Sequence, residues 1–293
     1  MNLPCLVDLH CHSTASDGSL SPEEVVQTAF EEGVGLMALT DHDTLAGLPA
    51  ARAKAAALGL DWIDGIELSA KWDRGHFHLL GYGINPQHRP FLAALEHFQE
   101  GRRLRSTRIL EKLDQLGMPL TRQDLRVPPG QSPARPHLAQ AMLDRGYVTH
   151  LEQAFELYLR QGGLAYVDKE TLTPQEAIQL VLEAGGLPVL AHPVSLYLKY
   201  AELGEKLKQL KAIGLAGIEA YNSSHQANQS HRLVRLADEL GLLVTGGSDF
   251  HGKFKPQVRM GRLKKGRKIL SKWISPDFFA TFGATKDTRI DEG

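Results

Sequence analysis

Short apolar runs recur along this chain, and amphipathic stretches of helical length separate most of them; that rhythm belongs to a mostly parallel sheet wrapped by helices. Residues 5–11, 36–40, 62–68, 77–82, 187–191, 216–220 and 242–245 read as strands. Ser21-Pro22-Glu23-Glu24 and Thr173-Pro174-Gln175-Glu176 are capping boxes with proline at the first helical position, so a helix is expected to start at each. Further helices are expected at 46–58, 201–213 and 226–240. Between 86 and 166 the alternation stops, and only charged helical patterns follow one another. The expected organisation is therefore α/β, with strand-bearing parts at 1–85 and 167–293 and an inserted helical subdomain at 86–166. Seven strands joined by helices suggest a (β/α) barrel. No glycine-rich phosphate loop follows the first strand, which argues against an open dinucleotide-binding sheet.

Composition excludes several classes. A chain of 293 residues with 42% hydrophobic content can bury a substantial core. Its 33 Lys and Arg balance 34 Asp and Glu, so no global positive field advertises a nucleic acid or an anionic membrane. Cys5 and Cys11 are too few for a disulfide framework or a thiolate zinc site, which points to a reducing compartment and to N and O ligands for any metal. No stretch approaches the run of about 18 apolar residues that a membrane helix needs, and the N-terminus lacks the charged and apolar regions of a leader. The expectation is a cytoplasmic globular protein, without a membrane or an obligate protein partner.

The unusual count is 13 histidines. In barrels of this kind, functional groups gather where strands end at the C-terminal face. The first strand runs into Asp8-Leu9-His10-Cys11-His12, the second ends in Asp41-His42-Asp43, and the third carries Glu67. The fourth carries His78, the fifth ends in His192, the sixth in Glu219-Ala220-Tyr221-Asn222, and the seventh in Asp249-Phe250-His251; Asp17 follows the first strand. A single histidine at a strand end is ordinarily a hydrogen-bonded residue. This many polar groups around one barrel mouth are too costly to bury without cations, so metal binding is expected. His76, His88, His97, His150 and His231 have no such placement.

The motifs Asp-Leu-His10-Cys-His12-Ser, Thr-Asp41-His42-Asp43, Glu67, His78-Leu-Leu-Gly-Tyr, Ala-His192-Pro and Ser-Asp249-Phe-His251 together resemble the polymerase and histidinol phosphatase (PHP) family of metal phosphoesterases. More narrowly, they resemble the stand-alone branch that includes bacterial 3',5'-nucleoside bisphosphate phosphatases and 5'-to-3' exoribonucleases. The resemblance covers residues 5 to about 262. It implies a distorted (β/α)7 barrel with three divalent ions, usually Mn2+, with Zn2+ or Fe2+ as other occupants. His10, His12, Glu67 and Asp249 would hold one ion. Glu67 would bridge to a second, held by His78 and His192, and Asp17, His42 and His251 would hold the third. Many members have His where this chain has Asp17.

Three divalent ions and three carboxylates leave an excess near +3, complementary to a phosphate dianion and a hydroxide. The expected reaction is phosphomonoester hydrolysis by attack of a metal-bound hydroxide, with Glu67, Asp17 and His42 at its centre and no side-chain nucleophile. His225 and Asn222, after the sixth strand, are candidates for substrate contact, and His225 also for protonating the leaving group. The insertion would act as a lid. Resemblance to the bisphosphatase branch implies that Arg135 and Lys169 bind substrate phosphates, with His137 beside them. The leading reading is a phosphatase removing the 3'-phosphate of nucleoside 3',5'-bisphosphates. A 5'-to-3' exonuclease on short RNA is the nearest alternative: Arg102, Arg105 and Arg108 and the run Lys264-Lys265-Gly266-Arg267-Lys268 could follow an RNA backbone. A non-catalytic nucleic-acid-binding or regulatory module is the third reading, and the complete ligand set argues against it.

Overall fold

The protein is described from a computed structural model that covers residues 5–127, 133, 135–168 and 171–283, leaving the side chains of Gln99 and Arg102 aside. Seven strands form one sheet in chain order: β1 (Leu6–Asp8), β2 (Val34–Leu39), β3 (Asp61–Ala70), β4 (Phe77–Tyr82), β5 (Leu187–Leu190), β6 (Gly217–Asn222) and β7 (Leu243–Gly247). β1–β2, β2–β3, β5–β6 and β6–β7 pair in parallel, whereas β4 runs antiparallel to both β3 and β5. The reason is connection length. Only residues 71–76 separate β3 from β4, far fewer than the dozen or so a parallel crossover requires.

The sheet nearly closes on itself. Leu9 N donates to Gly246 O at 3.2 Å, Asp249 N donates to His10 O at 2.8 Å, and Cys11 forms a parallel bridge with Phe250. The result is a distorted (β/α)7 barrel. β1 is shorter than the sequence pattern suggests, because regular pairing stops at Asp8.

The helices are α1 (Pro22–Glu31), α2 (Leu48–Leu58), α3 (Arg89–Gln115), α4 (Arg135–Asp144), α5 (Leu151–Ala154), α6 (Pro174–Glu183), α7 (Tyr200–Ala212), α8 (Ala227–Leu240) and α9 (Pro276–Thr281). Both capping boxes form: Ser21 Oγ accepts from Glu24 N while Glu24 Oε2 accepts from Ser21 N, and Thr173 and Glu176 do the same for α6. Val25, Val26 and Ala29 of α1 and Ala51 and Ala55 of α2 pack with Met37 and Leu39 of β2 in one buried cluster. Each large apolar side chain fully buried this way contributes about 1.5–3 kcal/mol. Among the described residues, no helix is long and apolar enough to cross a membrane.

The chain divides into two compact units, Met1–Phe91 with Leu172–Gly293, and Leu92–Thr171. Phe91, in the first turn of α3, is fully buried within the barrel unit, and Leu172 bridges Ala70 of β3, so both junctions fall a few residues beyond the ends of the interrupted strand pattern. The second unit has its own core, in which Ile109 and Leu113 of α3, Leu138 and Met142 of α4, and Leu159 are all buried.

Candidate metal centre

The chain brings polar side chains together just beyond the strand ends, and buried carboxylates hold those ends in place. Asp8 accepts from the backbone N–H of Ser248 at 2.8 Å and of Gly261 at 2.7 Å, and from Ser248 Oγ at 2.5 Å. This ties the end of β1 to the end of β7. Asp41 accepts from Ser13 N, Ser13 Oγ and Ser16 Oγ, fixing the loop after His12. Glu67 N donates to Asp41 O and Asp43 N donates to Glu67 O, so β2 pairing extends past its end and sets His42 beside Glu67. Asp43, His192 and Asp249 all have positive φ, at 52°, 26° and 57°. Three left-handed non-glycine residues around one site are strain held by surrounding packing, as occurs where function fixes side-chain direction.

Glu67 is the hub. Its Oε2 lies 3.2 Å from His10 Nε2, 3.1 Å from His12 Nε2 and 3.2 Å from His42 Nδ1; its Oε1 lies 3.0 Å from His78 Nδ1 and 3.1 Å from His192 Nε2. Asp249 Oδ1 stands 3.6 Å from His10 Nε2 and 3.4 Å from His12 Nε2. Asp17 faces His251 Nε2 at 3.3 Å, His12 Nδ1 at 3.6 Å and His42 Nε2 at 3.8 Å. Among the described residues, three sets offer donor atoms within 4.8 Å of one another: His12, Asp17, His42 and His251; His10, His12 and Glu67; and His42, Glu67 and His78. His12 and His42 each belong to two sets, so the grouping by distance overlaps where the family pattern divides it.

These residues fit divalent cations. Glu67 Oε2 and His42 Nδ1 are buried and make no hydrogen bond, although they face each other. The Nε2 atoms of His10 and His12 approach to 3.2 Å. Donor atoms turned toward a common centre without hydrogen-bond geometry are what shared cations leave in a protein. The donors are imidazole and carboxylate, a set that suits manganese, iron or zinc.

Outer partners orient the rings. His10 Nδ1 donates to Glu219 Oε1 at 3.0 Å, His192 Nδ1 to Ser195 Oγ at 2.9 Å, and His251 Nδ1 to the Asp249 carbonyl at 2.9 Å. Each bond places the proton on Nδ1 and leaves an Nε2 lone pair for a cation. Glu219 also accepts from His192 N at 2.8 Å and Asn222 Nδ2 at 3.0 Å. Burial disfavours charge on Asp249, but Lys255, whose Nζ lies 2.6 Å from Oδ2, and His251 hold its carboxyl well below the usual carboxylate range.

The remaining candidates have different surroundings. Asn222 is fully buried, and its Oδ1 accepts from Ser224 N and Oγ, so its polar atoms serve the β6 end and Glu219. His225 is buried; its Nδ1 donates to Ala220 O at 3.1 Å and its Nε2 makes no hydrogen bond. Burial lowers its pKa to about 4. In the helical unit, Arg135 at the start of α4 is half-buried and donates to Leu159 O at 3.5 Å, and His137 follows two residues later on the same helix. Lys169 lies outside the described residues. Glu219, Ser195 and Lys255 escaped the sequence reading as parts of the site. Glu219 stood at a strand end and gave a signal, but its partners are up to 209 positions away.

Comparison with known proteins agrees with this geometry. The PHP domain family matches residues 8–122. A 5'-3' exoribonuclease of Haemophilus influenzae is 36% identical over 248 residues, covering 83% of this chain and 89% of its own length. A 3',5'-nucleoside bisphosphate phosphatase of Chromobacterium violaceum is 33% identical over 254 residues, covering 84% and 87%. A solved structure from Bifidobacterium adolescentis, described as a metal-dependent phosphoesterase, superposes with a TM-score of 0.79 at 30% identity, covering 92% of this chain and 94% of that one.

Proposed function

This chain belongs to the PHP family of metal-dependent phosphoesterases, and from that premise we propose that it removes the 3'-phosphate of nucleoside 3',5'-bisphosphates, converting adenosine 3',5'-bisphosphate to AMP and phosphate. The observation that carries the reading is the convergence of five imidazoles on the two oxygens of Glu67, flanked by Asp17, Asp249 and His251. Nine N and O donors without a thiolate support three divalent ions, manganese first, with zinc or iron as alternatives.

Divalent ions bound there would supply Lewis acidity toward phosphate oxygens and lower the pKa of a coordinated water. The protein's own part is positioning. Glu67 presents one oxygen to His10, His12 and His42 and the other to His78 and His192, which sets the spacing between neighbouring positions. Asp17 and His42 do the same on the third side. Glu219, Ser195 and the Asp249 carbonyl hold three rings in the tautomer that ligates. His225 enters as a hydrogen-bond acceptor, since its Nδ1 proton goes to Ala220 and burial keeps the ring neutral near pH 7. That suits a substrate hydroxyl better than proton donation to a leaving alkoxide. Arg135 and Lys169, with His137, are the proposed contacts for the substrate's second phosphate.

A second reading has its own support: the exoribonuclease relative is 36% identical over most of both chains. The same donors would serve a phosphodiester at an RNA 5' end, which resembles a nucleotide bearing both phosphates.

One assay separates the two. Manganese-loaded protein is given adenosine 3',5'-bisphosphate and, separately, a 5'-phosphorylated oligoribonucleotide, and products are identified. Phosphate and AMP from the first, with the RNA intact, is the expected result. Nucleotides released from the RNA with the bisphosphate untouched would reverse the assignment. Chelation should abolish turnover and manganese restore it, and Glu67→Ala should lower it by more than about 100-fold.

A further inference from the structure

The three carboxylates of the candidate metal centre are not equivalent. Glu67 and Asp17 each turn both oxygens to imidazoles. Asp249 divides its two. Oδ1 lies 3.6 Å from His10 Nε2, 3.4 Å from His12 Nε2 and 3.5 Å from His251 Nδ1. Oδ2 meets one group among the described residues, the Lys255 ammonium, which donates to it at 2.6 Å.

The backbone that carries Lys255 is fixed. A short 3-10 turn, Gly252–Phe254, leads into it, and Lys255 N donates to Gly252 O at 3.1 Å. Gly252 has φ 63°, a conformation that suits glycine, and a Cβ there would collide with Ser19 Oγ. That hydroxyl accepts from Lys253 N at 2.8 Å, and Ser19 N donates to His251 O at 3.2 Å. The turn is thereby stapled to the loop that carries Asp17. The Lys255 side chain itself is 37% exposed, so a neutral side chain of similar length can replace it without a packing defect.

An ammonium one carboxylate away from a cation site weakens cation binding, because it repels the ion and shares the charge of its ligand. Tight binding alone would be better served by a neutral neighbour. What the ammonium does supply is a restriction. A carboxylate can ligate through one oxygen or both, and a charge-assisted hydrogen bond occupies Oδ2 here. Only Oδ1 is left to an ion beside His10 and His12. A catalytic centre differs from a structural one in keeping such positions open.

We propose that Lys255 is a positioning residue that confines Asp249 to ligation through one oxygen, and so keeps one coordination position free for water on the ion shared with His10 and His12. The inference rests on the reading of this cluster as a divalent-ion centre and does not depend on which ester is cleaved.

The test is manganese titration of the full-length protein, following free ion by electron paramagnetic resonance and exchangeable water by proton relaxation. Lys255→Met should bind one class of manganese about tenfold more tightly than the parent, with a smaller relaxation enhancement per bound ion. Lys255→Arg, which keeps a cation on Oδ2, should return both values toward the parent's. Lys253→Met removes the same charge from the same turn and should match the parent. Unchanged or weaker binding in Lys255→Met would overturn the proposal, as would an equal gain in Lys253→Met. Tighter binding with an unchanged relaxation enhancement would reduce Lys255 to a source of repulsion and also overturn it. Neither readout needs a substrate, so failure of the phosphatase reading is seen separately, in the product assay. A parent that takes up no manganese would defeat the metal-centre reading, and this inference with it.

Discussion

Glu219 accepts the Nδ1 proton of His10 at 3.0 Å while its other oxygen accepts the backbone N–H of His192 at 2.8 Å, so one buried carboxylate orients candidate ligands from two different strand ends. Among the described residues three donors converge on it, counting Asn222 Nδ2. An amide at this position has one acceptor oxygen and would turn an NH2 toward one of these donors. Glu219→Gln should therefore lower metal affinity about 10- to 100-fold, read as bound manganese after gel filtration. Excess manganese should recover much of the activity, whereas Glu67→Ala should not respond. Full manganese retention in Glu219→Gln would remove the role assigned to this residue.

Gly247 lies against His10 where β7 meets β1. A Cβ built there would stand 2.5 Å from His10 N and closer still to its Cβ. Backbone cannot yield as a side-chain tip can, so Gly247→Ala must separate β7 from β1 or shift His10. The expected outcome is a loss of at least about 2 kcal/mol in denaturant unfolding, with reduced metal content in the folded fraction. A stable variant with normal metal content would show that the strands adjust freely.

His225 has a pKa lowered to about 4, chiefly by burial. The ordinary value in an unfolded chain is about 6.5. Between these limits the unfolded chain binds a proton that the folded one does not, so stability falls as pH drops from about 6.5 to about 4 and is unaffected by this group above that window. The linked loss is on the order of 3 kcal/mol at the acid end. Unfolding of the parent and of His225→Gln from pH 7 to pH 4 should show a shallower decline in the variant. Parallel declines would mean that His225 titrates normally.

Arg135→Ala tests substrate recognition. If its guanidinium meets the substrate's second phosphate, KM for adenosine 3',5'-bisphosphate should rise by roughly 10- to 100-fold with kcat little changed. For a substrate lacking that phosphate, parent and variant should perform alike. Equal effects on both substrates would assign Arg135 to the fold of α4 instead.

The contrast between legible and illegible parts follows from where each kind of information resides. The barrel could be read because apolar runs and capping boxes are local, and α1 and α6 begin at the boxes that Ser21 and Thr173 announce. The candidate ligands could be read for a related reason: His10, His12, His42, His192, Asp249 and His251 sit just after parallel strands, whose ends share one face, and His78 joins them because it stands at the start of the reversed β4. The reversal of β4 was not recognised, although the short 71–76 link contains the reason. The duties of Asp8, Asp41 and Glu219 could not be read at all. Each is an acidic residue at a strand end, indistinguishable in sequence from Asp249. What separates them is whether backbone N–H and serine hydroxyl groups surround the carboxylate, as at Asp8 and Asp41, or imidazoles do, as at Glu67. The sequence by itself determined which residue types reach the barrel mouth. Only the tertiary structure decided which carboxylates face the imidazoles and which hold the strand ends together, because a hydrogen-bond partner is chosen by distance in space across segments up to 253 positions apart.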